Sequence, residues 1–117
     1  MKRDMELVRE ILFCAEKDDS TAALEEKYGR ETVAGHVAIL KDAGMIEGAI
    51  VPNHVGVPVA ARIIRLTWAG HEFLDNARDN VVWKKVLKTI GEKTASVSFA
   101  VLSECLKQAI LSAVGLP

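Results

Sequence analysis

The chain has 117 residues, 50% of them apolar and 26% charged, with a formal net charge of −1. That size and balance fit one ordinary domain with its own hydrophobic core, needing no metal or disulfide staple. They exclude a protein that grips nucleic acid through a uniformly basic surface.

The opening Met1-Lys2-Arg3-Asp4 runs directly into helix-periodic sequence and reads as no secretory leader. Met5, Val8, Leu12 and Ala15 recur at spacings of three and four, with Leu7 and Ile11 widening the stripe and Asp4 placed as N-cap. This pattern predicts an amphipathic first helix. Asp18-Asp19-Ser20 breaks it, and Thr21 to Tyr28 reads equally as a short helix or as a strand leading to a turn. From Glu31 onward Val33, Val37 and Leu40 share a face with Ala34 beside them, and Gly44 suits a left-handed cap on which Met45 and Ile46 fold back. Ala49-Ile50-Val51 and Arg62-Ile63-Ile64-Arg65-Leu66, separated by two turn-rich segments, predict a β-hairpin with a long tip.

Thr67 is placed to cap a helix through His71, Phe73 and Leu74. Asp79 is placed to cap another, striped by Trp83, Val86, Leu87 and Ile90 and closed by Gly91. The last helix, near Ser98 to Ala113, carries Phe99, Leu102, Leu106, Ala109 and Ile110 on one side with Ala100 and Val101 beyond, so it is apolar over more than one face. Ser103, Glu104, Lys107 and Gln108 interrupt this stretch, and no membrane span is expected. Cys14 and Cys105, far apart in apolar surroundings, read as buried thiols in a reducing, cytoplasmic setting.

Helix, turn segment, helix, hairpin and further helices is the order of a winged helix-turn-helix. The expected class is therefore mainly α with a small β-hairpin wing (α+β), as one domain over 1–117. Residues 1–78 would form the helix-turn-helix, wing and following helix, and 79–117 a C-terminal helical extension. Val33 to Ile46, ending in Leu40-Lys41-Asp42-Ala43-Gly44-Met45-Ile46, resembles the recognition helix of small bacterial winged-helix regulators, and Leu66-Thr67-x-x-Gly70 resembles their wing-to-helix junction. Met1-Lys2-Arg3-Asp4-Met5, Arg65 to Asp75, Trp83-Lys84-Lys85-Val86 and Ser96-Val97-Ser98 together resemble, nearly end to end, the bacterial and phage family called domain of unknown function 2513. The resemblance implies a winged-helix fold and a phage or prophage-like setting, and it carries no activity.

A recognition helix needs side chains that match the acceptors on base edges. The solvent-facing candidates are Arg30, Thr32, His36 and Lys41, with Gly35 and Ile39 between them and Glu31 and Asp42 flanking. On the hairpin, Arg62 and Arg65 lie in an acid-free stretch with His54 in its tip. Strand alternation points the two arginines to opposite faces, leaving one to meet a phosphate. Lys84, Lys85 and Lys88 lie opposite the Trp83 stripe and read as a solvated face. Val97, Val101, Leu106 and Ile110 form a candidate homodimer or partner interface, although the same helix reads equally as core filling.

The three histidines show no H-x-x-x-H spacing and the cysteines no C-x-x-C, so neither metal nor cofactor is expected. His71 and Trp68 are expected to pack and hydrogen-bond at the junction after the hairpin. No P-loop, G-x-S-x-G or G-x-G-x-x-G occurs. The expectation is thus a protein that works by binding, without catalysis. Its partner would be double-stranded DNA, with a homodimer through the C-terminal helix, and no membrane or small-molecule ligand. The alternative is a winged-helix interaction module that binds protein and not DNA.

Overall fold

The computed structural model describes residues 2–91 and 97–116. Met1 and Ser96 of the family-like motifs lie outside the described residues. The elements run α1 (Met5–Lys17), α2 (Ala22–Tyr28), α3 (Arg30–Asp42), β1 (Ile46–Pro52), β2 (Pro58–Leu66), α4 (Trp68–Ala77), α5 (Asn80–Ile90) and α6 (Phe99–Ala113). Among the described residues this is a mainly helical α+β arrangement with one two-stranded antiparallel sheet.

Local chemistry sets most of the boundaries. The Asp4 carboxylate accepts from the N–H groups of Glu6 and Leu7 at the start of α1, satisfying donors that have no partner inside the helix. Asp18 then ends the helix with φ 60°, a left-handed geometry that aspartate tolerates better than most residues. The ambiguous segment is helical, and one residue, Gly29 at φ 95°, joins α2 to α3. Seven residues are too few to display a helical period, which is why Thr21 to Tyr28 was undecidable from sequence. At the far end of α3, Gly44 N–H donates to Lys41 O and Met45 N–H to Leu40 O, the paired bonds of a Schellman cap, with Met45 buried against the helix.

The hairpin is longer than its sequence signal. Ile46 pairs with Leu66 and Ala49 with Arg62, and bulges fall at Glu47/Gly48 and Val51/Pro52. A five-residue tip is held by Asn53, whose Oδ1 accepts from the Val55 and Val57 N–H groups. Gly48 is required at the first bulge, because a Cβ there would stand 2.7 Å from the Arg62 carbonyl oxygen.

Helix α1 runs through the middle of the core. Leu7, Val8, Ile11 and Leu12 are wholly buried, and around them lie Val33, Val37 and Leu40 of α3, Leu66 of β2, Phe73 and Leu74 of α4, Trp83 of α5 and Leu102 and Leu106 of α6. Burial divides the four candidate interface residues at the last helix. Leu106 is wholly buried, Val97 and Ile110 pack against the core, and of the four only Val101 is exposed, at 54%. Helix α6 packs on both α4 and α5, so it uses two apolar faces inside its own chain. Phe73 and Phe99 meet edge to face at 5.6 Å across the α4–α6 contact.

The junction between β2 and α4 rests on Thr67 and Gly70. Thr67 Oγ1 accepts from Gly70 N–H at 3.1 Å and donates to Gly44 O at 2.5 Å, tying the start of α4 to the end of α3. A Cβ at Gly70 would collide with the Met45 carbonyl oxygen. The side chains of Trp68 and His71 stay outside this joint, although the His71 N–H donates to Thr67 O at 3.0 Å: Trp68 is 79% exposed and the His71 ring is on the surface. The expectation that they pack there is corrected. The first residue of α4 projects away from the contact that Thr67 and Gly70 make.

Candidate functional site

The outer side of α3 and the hairpin carry the residues singled out for DNA contact, and the structure separates them. His36 is wholly buried rather than solvent-facing. Its Nε2 accepts from the Asp4 N–H at 2.8 Å and its Nδ1 lies 2.8 Å from Thr32 O. With Nε2 an acceptor, the ring proton belongs on Nδ1, donated to Thr32 O. His36 is therefore a polar tie between α3 and the N-terminus of α1. The spacing Val33, His36, Leu40 placed it on the buried stripe all along. Gly35 is buried as well, and Thr32 half-buried.

Arg30 and Lys41 are exposed at the two ends of α3. Between them, a groove of about 410 Å³ separates the helix from the hairpin tip, lined by Glu31, Thr32, Gly35, Ile39, Asp42 and the tip residues Val57 and Pro58, among others. Only the Thr32 hydroxyl could donate to a base edge from this lining, and the two charged side chains are carboxylates.

Strand alternation also misplaced the hairpin arginines. The bulge inserts Ile64 between the paired residues Ile63 and Arg65, shifting the phase, so Arg62 and Arg65 are both exposed. Arg65 is committed elsewhere: Nε and Nη2 grip the Glu47 carboxylate at 3.0 and 2.7 Å, and Nη1 donates to Leu66 O at 2.9 Å. Arg62 has no ion pair among the described residues. Around it the hairpin exposes Val51, Val55, Val57 and Ile64, the last at 58%.

A second polar centre escaped the sequence reading. Arg9, on the apolar stripe of α1, is almost fully buried. Its Nε donates to Ala77 O at 2.7 Å, and Nη2 donates to Arg78 O at 2.9 Å and Asn80 Oδ1 at 2.6 Å. The guanidinium so occupies the end of α4, where unpaired carbonyls favour a cation, and stacks near Phe13 and Trp83. An arginine amid Val8, Ile11 and Leu12 was the available signal. Beside it Arg78 holds Glu16 through two bonds of 2.8 and 2.5 Å and reaches Asp75 at 2.8 Å. The hydrogen bond from Arg78 holds the Glu16 carboxyl below its ordinary range, and the two carboxylates push Arg78 up.

Both cysteines are half-buried, not fully buried as expected. Burial, then Asp19 and Glu10, pushes the Cys14 thiol up, which favours the unreactive protonated form. Among the described residues no group of His, Cys, Asp and Glu could hold a metal ion, and no helix is long and apolar enough to cross a membrane.

The elements and their one core define a mainly helical α+β domain whose sequence signatures serve its joints. Arg3 stacks 4.8 Å over Phe99 and bonds the Val97 carbonyl, Asp4 caps α1, Thr67 and Gly70 fix α4, and Trp83 donates to Glu6 at 2.7 Å. The model of the family described as "Hypothetical protein (DUF2513)" matches residues 2–96, and the chain belongs to that family. A protein of Haemophilus influenzae (strain ATCC 51907 / DSM 11121 / KW20 / Rd), described as "Uncharacterized protein", is 32% identical over 117 residues, covering 96% of this chain and 97% of its own. No solved structure matches the chain.

Proposed function

We propose that the chain is a winged-helix binding module that engages a protein partner through its hairpin and works without turnover. In this reading α2, Gly29 and α3 are the helix-turn-helix and β1–β2 the wing. The observation that carries it is the contrast at the hairpin. The groove beside α3 offers one hydroxyl and two carboxylates, a poor set for reading base edges. The neighbouring hairpin exposes Val51, Val55, Val57 and Ile64, apolar surface of the kind that protein interfaces cover.

A second reading has one specific observation in its favour. Arg30, Lys41 and Arg62 are exposed and have no ion pairs among the described residues, a set able to meet DNA phosphates without reading bases. Fluorescence anisotropy against a labelled random duplex, at low and at physiological salt, separates the two. The protein-partner reading expects no saturable binding at either salt. Binding that falls steeply with salt, and that Arg62→Ala weakens on every sequence, would overturn it in favour of phosphate contact. Sedimentation velocity on the same sample tests a second copy as the partner: a dimer that Ile64→Asp returns to monomer identifies it, whereas a dimer unchanged by Ile64→Asp removes the hairpin from that role.

A further inference from the structure

We propose that the pocket between α1, α2 and the α4–α5 junction binds a small organic anion, a carboxylate or phosphate group carried on an apolar body. This holds whichever partner the hairpin takes. The pocket has a volume of about 540 Å³, inside the range of roughly 300–1,000 Å³ for small-molecule sites. Arg9, Lys17, Lys27 and Arg78 line it, against a single carboxylate, Glu10.

The arrangement of these cations is what calls for an anion. The guanidinium carbons of Arg9 and Arg78 and the Lys17 Nζ stand 5.0, 6.0 and 5.9 Å from the centroid of one ring, Phe13. Like charges gathered this closely repel one another unless an opposite charge sits among them. Arg78 has its counter-charges in Glu16 and Asp75. Arg9 does not: all three of its bonds go to neutral oxygens. Lys17 and Lys27 have no ion pair among the described residues. An anion in the pocket supplies the missing charge to three cations at once.

The remaining walls describe the rest of the ligand. Phe13, Ala23 and Leu24 give it an apolar surface. Glu10 Oε2 is buried with no hydrogen-bond partner among the described residues. A carboxylate oxygen in that state accepts a donor readily, so an occupant with a hydroxyl group on its apolar body, away from its own anionic end, fits better than a bare ion.

Trp83 reports on this site, since its ring lies 5.4 Å from the Arg9 guanidinium. Trp68, the other tryptophan, is exposed and can be replaced by Phe to leave Trp83 as the sole indole. The Trp68→Phe protein is titrated at constant ionic strength with phenyl phosphate, with benzoate and 3-hydroxybenzoate, and with inorganic phosphate. The expected result is a saturable change in Trp83 emission for the aromatic anions, with a Kd of about 1 mM or tighter. 3-Hydroxybenzoate, whose hydroxyl is too far from its own carboxylate to bond it, should bind more tightly than benzoate, and inorganic phosphate at least about fivefold more weakly than phenyl phosphate. Lys17→Ala and Lys27→Ala, both at exposed positions, should each weaken binding about three- to tenfold, while Lys88→Ala on α5, outside the pocket, leaves it unchanged. No saturation by any of the aromatic anions up to about 20 mM would overturn the proposal. An equal loss with Lys88→Ala would also do so, by showing diffuse charge in place of a site. Inorganic phosphate binding as tightly as phenyl phosphate would overturn the apolar-body assignment, and benzoate binding as tightly as 3-hydroxybenzoate would overturn the role given to Glu10.

Discussion

The cations on α3 and the hairpin and those around Phe13 are similar in kind and differ in company. On the hairpin Arg65 is neutralised by Glu47. Along α3, Arg30 is followed by Glu31 and Lys41 by Asp42, and the nearby groove is edged by those same two carboxylates. Around Phe13, Arg9 and Lys17 stand without an ion pair among the described residues, and Lys27, which lines the same pocket, has none either. A net charge of −1 conceals both situations. Local potential depends on what lies across from each charge, so the hairpin segment that is acid-free in sequence has Arg65 balanced by Glu47 from the facing strand, while the pocket beside Phe13 keeps cations with no ion pair among the described residues.

The joint between these regions should be the least tolerant point. Gly70→Ala is expected to cost about 3–4 kcal/mol or to prevent folding, because backbone would have to move to admit the Cβ. Urea unfolding checks this, and a near-neutral result would mean the α3–α4 contact is loose. Next comes the contrast itself. Arg9→Ala strands the Ala77 and Arg78 carbonyls and should cost about 2–3 kcal/mol, whereas Arg62→Ala should stay within about 0.5 kcal/mol. Equal losses in denaturant midpoint would break the comparison.

His36→Ala should cost about 2 kcal/mol, through an unpaired Asp4 N–H and a cavity between α1 and α3. Differential calorimetry reads that loss. The smallest effect is the exposed Arg78–Glu16 pair, for which Glu16→Gln should cost about 0.5 kcal/mol near neutral pH. Its sign with pH is defined. The folded-state carboxyl lies below its ordinary value of 4.5, so the contribution is present above that value and lost as pH falls through the lowered one. Stability of wild type and Glu16→Gln should therefore converge in acid; a gap that widens on acidification would reverse the assignment.

The parts of the fold that were legible are those made by neighbours in the chain. Asp4, Thr67 and Asp79 cap the helices that follow them, and Gly44 and Gly91 terminate α3 and α5 at positive φ. Each uses contacts within about one helical turn, so residue type and spacing suffice. His36 was legible in principle from its place between Val33 and Leu40, but a polar residue on that face draws the eye to the surface. The exposure of both arginines was not legible, since the bulge beside Gly48 depends on backbone approaching backbone across the hairpin. The core role of Leu106 likewise needed α4 and α5 to be in place on either side.

Local pattern was enough for every helix except α2, for the hairpin, for most of the caps and for the family. Which polar groups meet at long range is set by packing. Arg78 finds Glu16 across 62 positions and Arg9 finds Asn80 across 71. Pairings at that distance are fixed by how the helices pack around α1, and periodicity carries no trace of them.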